Sequence, residues 1–376
     1  MAHIQQIQLS DVLSQLPKIE PLDVERDLLG KEDDLFLGAL GFEDRCLSIP
    51  ELIAKTKRYK CTEAIYFEYA TNVNDNEVNK PRLFQALQDF STAVNSMPCD
   101  EDNFPTNLRT TLSRICTEGR TPSVIFDISV CTSKLLLLAL KVLFEFDLSL
   151  RILYSEAEVY HPTREEYESD PEKWTTEEGF GLAIGVSAVI PSVEHPGYRR
   201  DMLQEVMVVF PTFKPERAKA IIAEIDESLI MKPKDRVIWI VGNPHLPEDH
   251  WRVDAVREIN KITASAPSYE VSTFYYEETL KTLERIYQPR DCKYHVTLSP
   301  LGSKMQSLGI ALFCYMRQDV SIVFATPKEY NALQYSEGCK AVWQIDFGNL
   351  MTIRELLNRV GQLKIRRSLV NSQRGN

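Results

Sequence analysis

"VTLSPLGSKMQSLGIALF", residues 296–313, reads as an apolar strand, a short turn of small and hydroxyl residues ending in Lys304, and an apolar helix. Such a turn aims free backbone N–H groups outward, and the dipole of the helix behind it adds partial positive charge. The same pattern stands 170 residues earlier (298 minus 128): "ISVCTSKLLLLALKVLFEFDLSLRILYSEAEVY" (128–160) aligns without a gap on "LSPLGSKMQSLGIALFCYMRQDVSIVFATPKEY" (298–330). Identities fall at Ser129/Ser299, Ser133/Ser303, Lys134/Lys304, Leu138/Leu308, Ile152/Ile322 and Tyr160/Tyr330.

The upstream segments repeat in the same order. "DLFLGALGFEDRCLSIPELI" (34–53) has a counterpart in "EVMVVFPTFKPERAKAIIAEI" (205–225), with Phe42 on Phe213 and Arg45 on Arg217 after one extra residue. "EAIYFEYATN" (63–72) matches "RVIWIVGNPH" (236–245), and a helix is expected next at about 85–95 and 250–262. Three matches in one order argue that the chain is written twice. Continuous apolar strands alternating with helices indicate parallel sheets covered on both faces. The expected class is therefore α/β, as two tandem Rossmann-like parallel-sheet domains related by internal duplication. The expected divisions are an N-terminal helix and lead-in (1–33), a first domain (34–160), a connector with its own strand or hairpin (161–204), a second domain (205–330), and a C-terminal strand, helix and basic tail (331–376). The stretch "SEGCKAVWQIDFGNLMT" (336–352) is a loose echo following the second copy.

Composition narrows the function classes. The chain has 43 basic and 54 acidic residues, a formal charge of −11, which argues against general nucleic-acid binding because that affinity comes from Lys and Arg neutralising phosphates. A small phosphorylated ligand in a pocket remains compatible with it. The start lacks a basic region followed by an apolar run, so no secretory signal is expected. The most apolar run, "SKLLLLALKVLFEFDL" (133–148), is too short and too charged to span a bilayer and reads as a buried helix. Eight cysteines without a C-x-x-C pair read as reduced thiols of a cytoplasmic protein. Six scattered histidines give no metal site, and no cofactor is expected.

In parallel α/β folds functional groups gather at the carboxyl ends of the strands. Those ends hold the candidate ligand-binding residues: Ser129, Thr132, Ser133 and Lys134 in the first copy, and Ser299, Gly302, Ser303 and Lys304 in the second, with Arg45 and Arg217 after each first strand. Lysine at a helix start opposes the dipole, so an anion would make its placement sensible. The alternative is a solvated surface lysine. The serines also suit helix N-caps, and Gly302 suits a turn conformation or a close approach. Arg45 and Arg217 suit a bidentate clamp on phosphate or carboxylate, or equally a salt bridge to Glu43, Asp44 or Glu216. Asp127 suits a base or a ribose contact, replaced by Thr297 in the second copy; Tyr160 and Tyr330 suit stacking or packing on the sheet edge. No catalytic residue is assigned. G-x-x-x-x-G-K-[ST] and G-x-G-x-x-G are both missing, which disfavours a P-loop NTPase and a dinucleotide dehydrogenase.

The strand, small-residue turn ending in Lys, and long apolar helix resemble the ligand-binding motif of CARF-type Rossmann-like domains, which carry a Thr-Gly-Gly-Thr-Lys-like turn. The matching positions are Leu298, Ser299, Gly302, Ser303 and Lys304, and more loosely Ile128, Ser129, Thr132, Ser133 and Lys134. "SPLGSK" has one glycine where that turn has two, and "SVCTSK" has none. CARF domains and the related SAVED sensors bind cyclic oligonucleotides in prokaryotic antiviral signalling, usually across a pair of domains. The resemblance implies a sensor for a nucleotide-like or cyclic oligonucleotide messenger. No appended output domain is legible, so the expected partner is a separate effector protein. Two alternatives stand beside it: a nucleotide-processing enzyme such as a ring nuclease, and a structural subunit without a ligand.

Overall fold

The structure, a computed structural model, describes residues 9–100, 102–170, 184–198, 203–226, 229, 236–291, 293–329 and 335–360. Its strands in the first half are β1 (Glu20–Pro21), β2 (Glu32–Ala39), β3 (Lys60–Glu68), β4 (Ser91–Pro98), β5 (Ser123–Asp127), β6 (Ser149–Glu156), β7 (Val159–Tyr160) and β8 (Ile184–Pro191). The second half supplies β9 (Gln204–Val209), β10 (Val237–Asn243), β11 (Ser268–Ser272), β12 (Tyr294–Ser299), β13 (Ser321–Glu329), β14 (Ser336–Glu337) and β15 (Ala341–Asn349).

The two halves are α/β bodies with the same topology. In the first sheet the parallel strands run β4-β3-β2-β5-β6, and in the second β11-β10-β9-β12-β13. Each is the order third, second, first, fourth, fifth, a Rossmann-like arrangement with its switch point between the first and fourth strands. In each sheet a sixth strand lies antiparallel to the fifth, with the short β1 outside it in the first sheet, and here the halves exchange. β8, from the first half, pairs with β13 of the second; β15, from the second half, pairs with β6 of the first. The short strands β7 and β14 pair with each other, Tyr160 opposite Ser336. Each half therefore finishes its partner's sheet.

The helix expected at about 250–262 is found at Trp251–Ile259, whereas the one expected at about 85–95 needs correction. It spans Lys80–Phe90 and is followed directly by β4, where a helix to about 95 was expected. β4 lies at the sheet edge with most of its residues exposed or half-buried, so it lacks the apolar run that marks the inner strands. Helices Phe104–Ile115 and Tyr276–Tyr287 then lead to β5 and β12.

Helices Ser133–Leu143 and Lys304–Met316 pack against each other between the sheets. Leu135–Leu140 and Met305–Cys314 are buried on every side, which is why both helices are apolar nearly all round, with Gln306 and Ser307 as buried polar exceptions in the second. Phe144 and Tyr315 meet at their far ends with ring centroids 5.5 Å apart. One hydrophobic core runs through these helices from sheet to sheet. Among the described residues no helix is long and apolar enough to cross a membrane. The seven described cysteines are free thiols.

The segment after β8 straps the exchanged strand down. The Ser192 N–H donates to the Ile322 carbonyl (2.8 Å), and the Ile322 N–H donates to the His195 carbonyl (3.1 Å). Arg109 of the first half forks onto Glu194 at 2.6 and 2.8 Å. His195 is buried, with Nδ1 3.2 Å from Ser192 Oγ. Burial, aided by the charge of Lys141 and opposed by Glu194, lowers its pKa from 6.5 to about 4. Between those values only the unfolded chain takes up the proton. Stability from this group is therefore complete above pH 6.5 and falls as pH drops towards 4, by about 3 kcal/mol in all. Denaturant unfolding across that window should show the slope, and His195→Gln should flatten it. An unchanged slope in the variant would assign the effect elsewhere.

Candidate functional site

The two Ser-Lys turns face one cleft. At the carboxyl edge of the first sheet, Thr132 caps helix Ser133–Leu143 by accepting the Leu135 N–H, placing Lys134 in the first turn. At the second, Ser303 caps helix Lys304–Met316 in a capping box: its Oγ accepts the Gln306 N–H (3.1 Å) and its own N–H donates to Gln306 Oε1 (3.0 Å). The cap thus shifts by one position between the copies. Ser133, Ser129 and Ser299 are not caps. Ser129 and Ser299 are fully buried; the Ser129 N–H and Oγ–H both donate to Asp127 Oδ1, at 2.9 and 2.5 Å. Burial pushes Asp127 up to about 7 against those hydrogen bonds, and it stands behind the turn, outside the cleft lining.

The cleft has a volume of about 210 Å³ and lies between the halves. Lys134, Thr132 and Ser133 line it from the first half; Lys304, Gly302 and Arg217 line it from the second. Tyr69, Phe104, Phe324 and Tyr335 supply aromatic surface. No carboxylate lines this cleft among the described residues, in a chain whose formal charge is −11. Three cations and the N-terminal ends of two long helices therefore converge on one small volume. Gly302 has an ordinary negative-side backbone, so its role is close approach: a β-carbon there would collide with the Gln306 side chain.

Electrostatics mark the lysines as strained by burial. Burial lowers Lys134 from 10.5 to about 8. Burial also lowers Lys304, with Glu43 opposing and Arg45 reinforcing the shift. A bound anion would relieve both. Arg217 donates from Nη2 to the Ala325 carbonyl (2.9 Å), while its Nε is buried without a partner among the described residues.

The two arginines of the repeat part company. Arg45 is 1% exposed and does not reach the cleft. Its guanidinium donates to Glu43 Oε2 (2.5 Å), the Ser155 carbonyl (3.0 Å) and Ser336 Oγ (3.2 Å). Of the candidates, Lys134, Thr132, Ser133, Gly302, Lys304 and Arg217 come together; Ser129, Ser299, Ser303 and Arg45 do not line the cleft. Tyr160 sits on β7, its hydroxyl 2.8 Å from that of Tyr154, and Tyr330 lies outside the described residues.

Sequence reasoning passed over a second recess. It opens off the cleft at the switch point of the first sheet, between the ends of β2 and β5, and takes in Glu43, Asn76 and Lys304. Its signal was the polar stretch "NVNDNEVN" (72–79) after β3. Among the described residues no cluster of His, Cys, Asp and Glu is arranged to hold a metal ion.

No family model matches the chain. No curated protein matches it either. Among solved structures, the cytoplasmic domain of a prokaryotic cation chloride cotransporter is similar at 10% sequence identity and a TM-score of 0.24, covering 81% of this chain and 99% of that one; no conclusion about the site rests on it.

Proposed function

We propose that this protein is a ligand-binding regulator whose cleft takes a small phosphate-bearing messenger, nucleotide-like or a cyclic oligonucleotide, and that it acts on a separate effector in prokaryotic antiviral defence. The observation that carries the binding half is the convergence of Lys134, Lys304 and Arg217 with two helix N-termini on a cleft that no carboxylate lines among the described residues. The messenger class and the defence setting rest on the CARF-like turns. A ligand bridging Lys134 of one half and Lys304 and Arg217 of the other would fix the halves relative to each other. The effector would read that change.

Thermal unfolding with cyclic oligonucleotides and mononucleotides tests the reading. A ligand at 100 times its dissociation constant should stabilise the fold by about 2.7 kcal/mol. Lys304→Ala should weaken binding about tenfold or more, the loss of a charge-assisted hydrogen bond worth roughly 1.5–3 kcal/mol. Without ligand the variant should be as stable as the parent within about 0.5 kcal/mol, or more stable, because an ammonium held under desolvation is removed. A variant that unfolds yet binds normally in its folded fraction makes Lys304 structural and defeats the proposal. One observation favours the enzyme as a second reading: Lys134, at about 8, can act as a base near neutral pH inside the cleft. Ligand recovered unchanged after incubation supports the sensor; time-dependent loss abolished by Lys134→Ala supports the enzyme.

A further inference from the structure

The recess beside the cleft is the smaller of the two, with a volume of about 40 Å³ against about 210 Å³ for the cleft, and has room for a small polar group. It shares Tyr69, Thr132, Lys304 and Tyr335 with the main cleft, so a ligand in one can extend into the other. Asn76 lines it and is 5% exposed. Its Nδ2 donates to the Thr71 carbonyl (3.1 Å), which fixes the amide orientation, because a flip would set oxygen against oxygen. Asn76 Oδ1 is thereby left buried with no hydrogen-bond partner among the described residues. An unmet buried acceptor of this kind carries a full desolvation penalty unless something donates to it. The Glu43 carboxylate, 7% exposed and already accepting from Arg45 and Ser336, also borders the recess.

Among the described residues the second half places a side chain at the equivalent position. At the position of Leu136 it carries Gln306 (306 minus 170), whose buried amide accepts from the Ser303 N–H and donates to the Val271 carbonyl (3.4 Å). That side chain lies over Gly302 and Gly242. The pseudo-symmetric place is filled by the protein itself.

We infer that the recess is a subsite for an amino group of the ligand, whose N–H donates to Asn76 Oδ1 while its phosphate lies at Lys134, Lys304 and Arg217. The ligand is then unsymmetrical, phosphate at one end and amine-bearing at the other, and one binds per chain. This rests on the anion-binding reading of the cleft and deepens it.

The test is calorimetric titration of the full chain with inorganic pyrophosphate and with two nucleotide pairs, AMP against IMP and CMP against UMP. Each pair differs by an amino-for-oxo exchange. Pyrophosphate should bind and lose affinity in Lys304→Ala. In at least one pair the amino member should bind about tenfold tighter or more, with one site per chain. Asn76→Ala should reduce that preference to within about threefold while leaving pyrophosphate affinity unchanged. Equal binding within both pairs, two sites per chain, or a preference that survives in Asn76→Ala overturns the subsite and leaves the cleft standing. No binding of pyrophosphate or of any nucleotide overturns both. The comparison within each pair needs only the unmodified protein, so it stands even if Asn76→Ala misfolds.

Discussion

A chain ending after Cys339 will have no folded first half. That truncation removes β15 and the helix at 350–360, which together bury Ile345, Phe347, Leu350, Ile353, Leu356, Leu357 and Val360. At about 1.5–3 kcal/mol for each side chain, the lost burial is on the order of 10–20 kcal/mol as an upper figure. Whole-domain stabilities are about 5–15 kcal/mol. The loss is not confined to apolar area. β15 is the antiparallel neighbour of β6 over its full length, and without it the β6 edge is bare. Trp343 Nε1–H also donates to Glu156 Oε2 (2.9 Å), and Gln344 Nε2–H to Asp27 Oδ2 (2.6 Å). The truncated protein should lack a cooperative unfolding transition and should aggregate. A cooperative melt within a few degrees of the full chain would mean that the exchanged strand is dispensable.

The exchange also marks where sequence reading stopped. The inner strands announced themselves through continuous apolar runs such as "SVIFD" and "HVTLS", and the Ser-Lys turns through their repetition. β8 and β15 were legible as strand material, but not as members of each other's sheets. Local pattern sets a strand's faces; its neighbour is chosen by the whole topology. β4 was missed because an edge strand need not be apolar. In the site, the lysines were legible because an unfavourable charge at a helix start occurs twice. The arginines were not separable. Arg45 has Glu43 two residues before it and turns inward to pair with it. Lys214 stands where Glu43 does, beside Phe213, and a like charge cannot draw Arg217 inward, so Arg217 reaches the Ala325 carbonyl and the cleft. Asn76 became visible only when its unmet oxygen could be seen.

Arg45→Met should destabilise the protein by about 3–5 kcal/mol, the cost of leaving one member of a buried ion pair alone. Arg45 and Glu43 are 1% and 7% exposed, and Ser336 Oγ–H also donates to the Glu43 carboxylate. Burial opposes the Arg45 charge, yet Glu43 together with Tyr154 and Tyr160 outweighs it and the guanidinium is held more strongly protonated than usual. The cluster joins the halves, since Ser155 belongs to β6 and Ser336 to β14. Met keeps much of the volume but leaves the Glu43 carboxylate buried without its ion-pair partner, held by the Ser336 hydroxyl and the charge of Lys304. Adding Glu43→Gln removes that charge while keeping an acceptor for Ser336, so the double variant should recover more than half of the loss. A like-for-like pair of denaturant curves measures this directly. The outcome also decides what Arg45 is for. If Arg45→Met costs less than about 1 kcal/mol while anion affinity at the cleft falls tenfold, the guanidinium serves the ligand after all. If stability falls and the double variant restores it with affinity unchanged, Arg45 is the pin between the halves, and the anion is held by Lys134, Lys304 and Arg217.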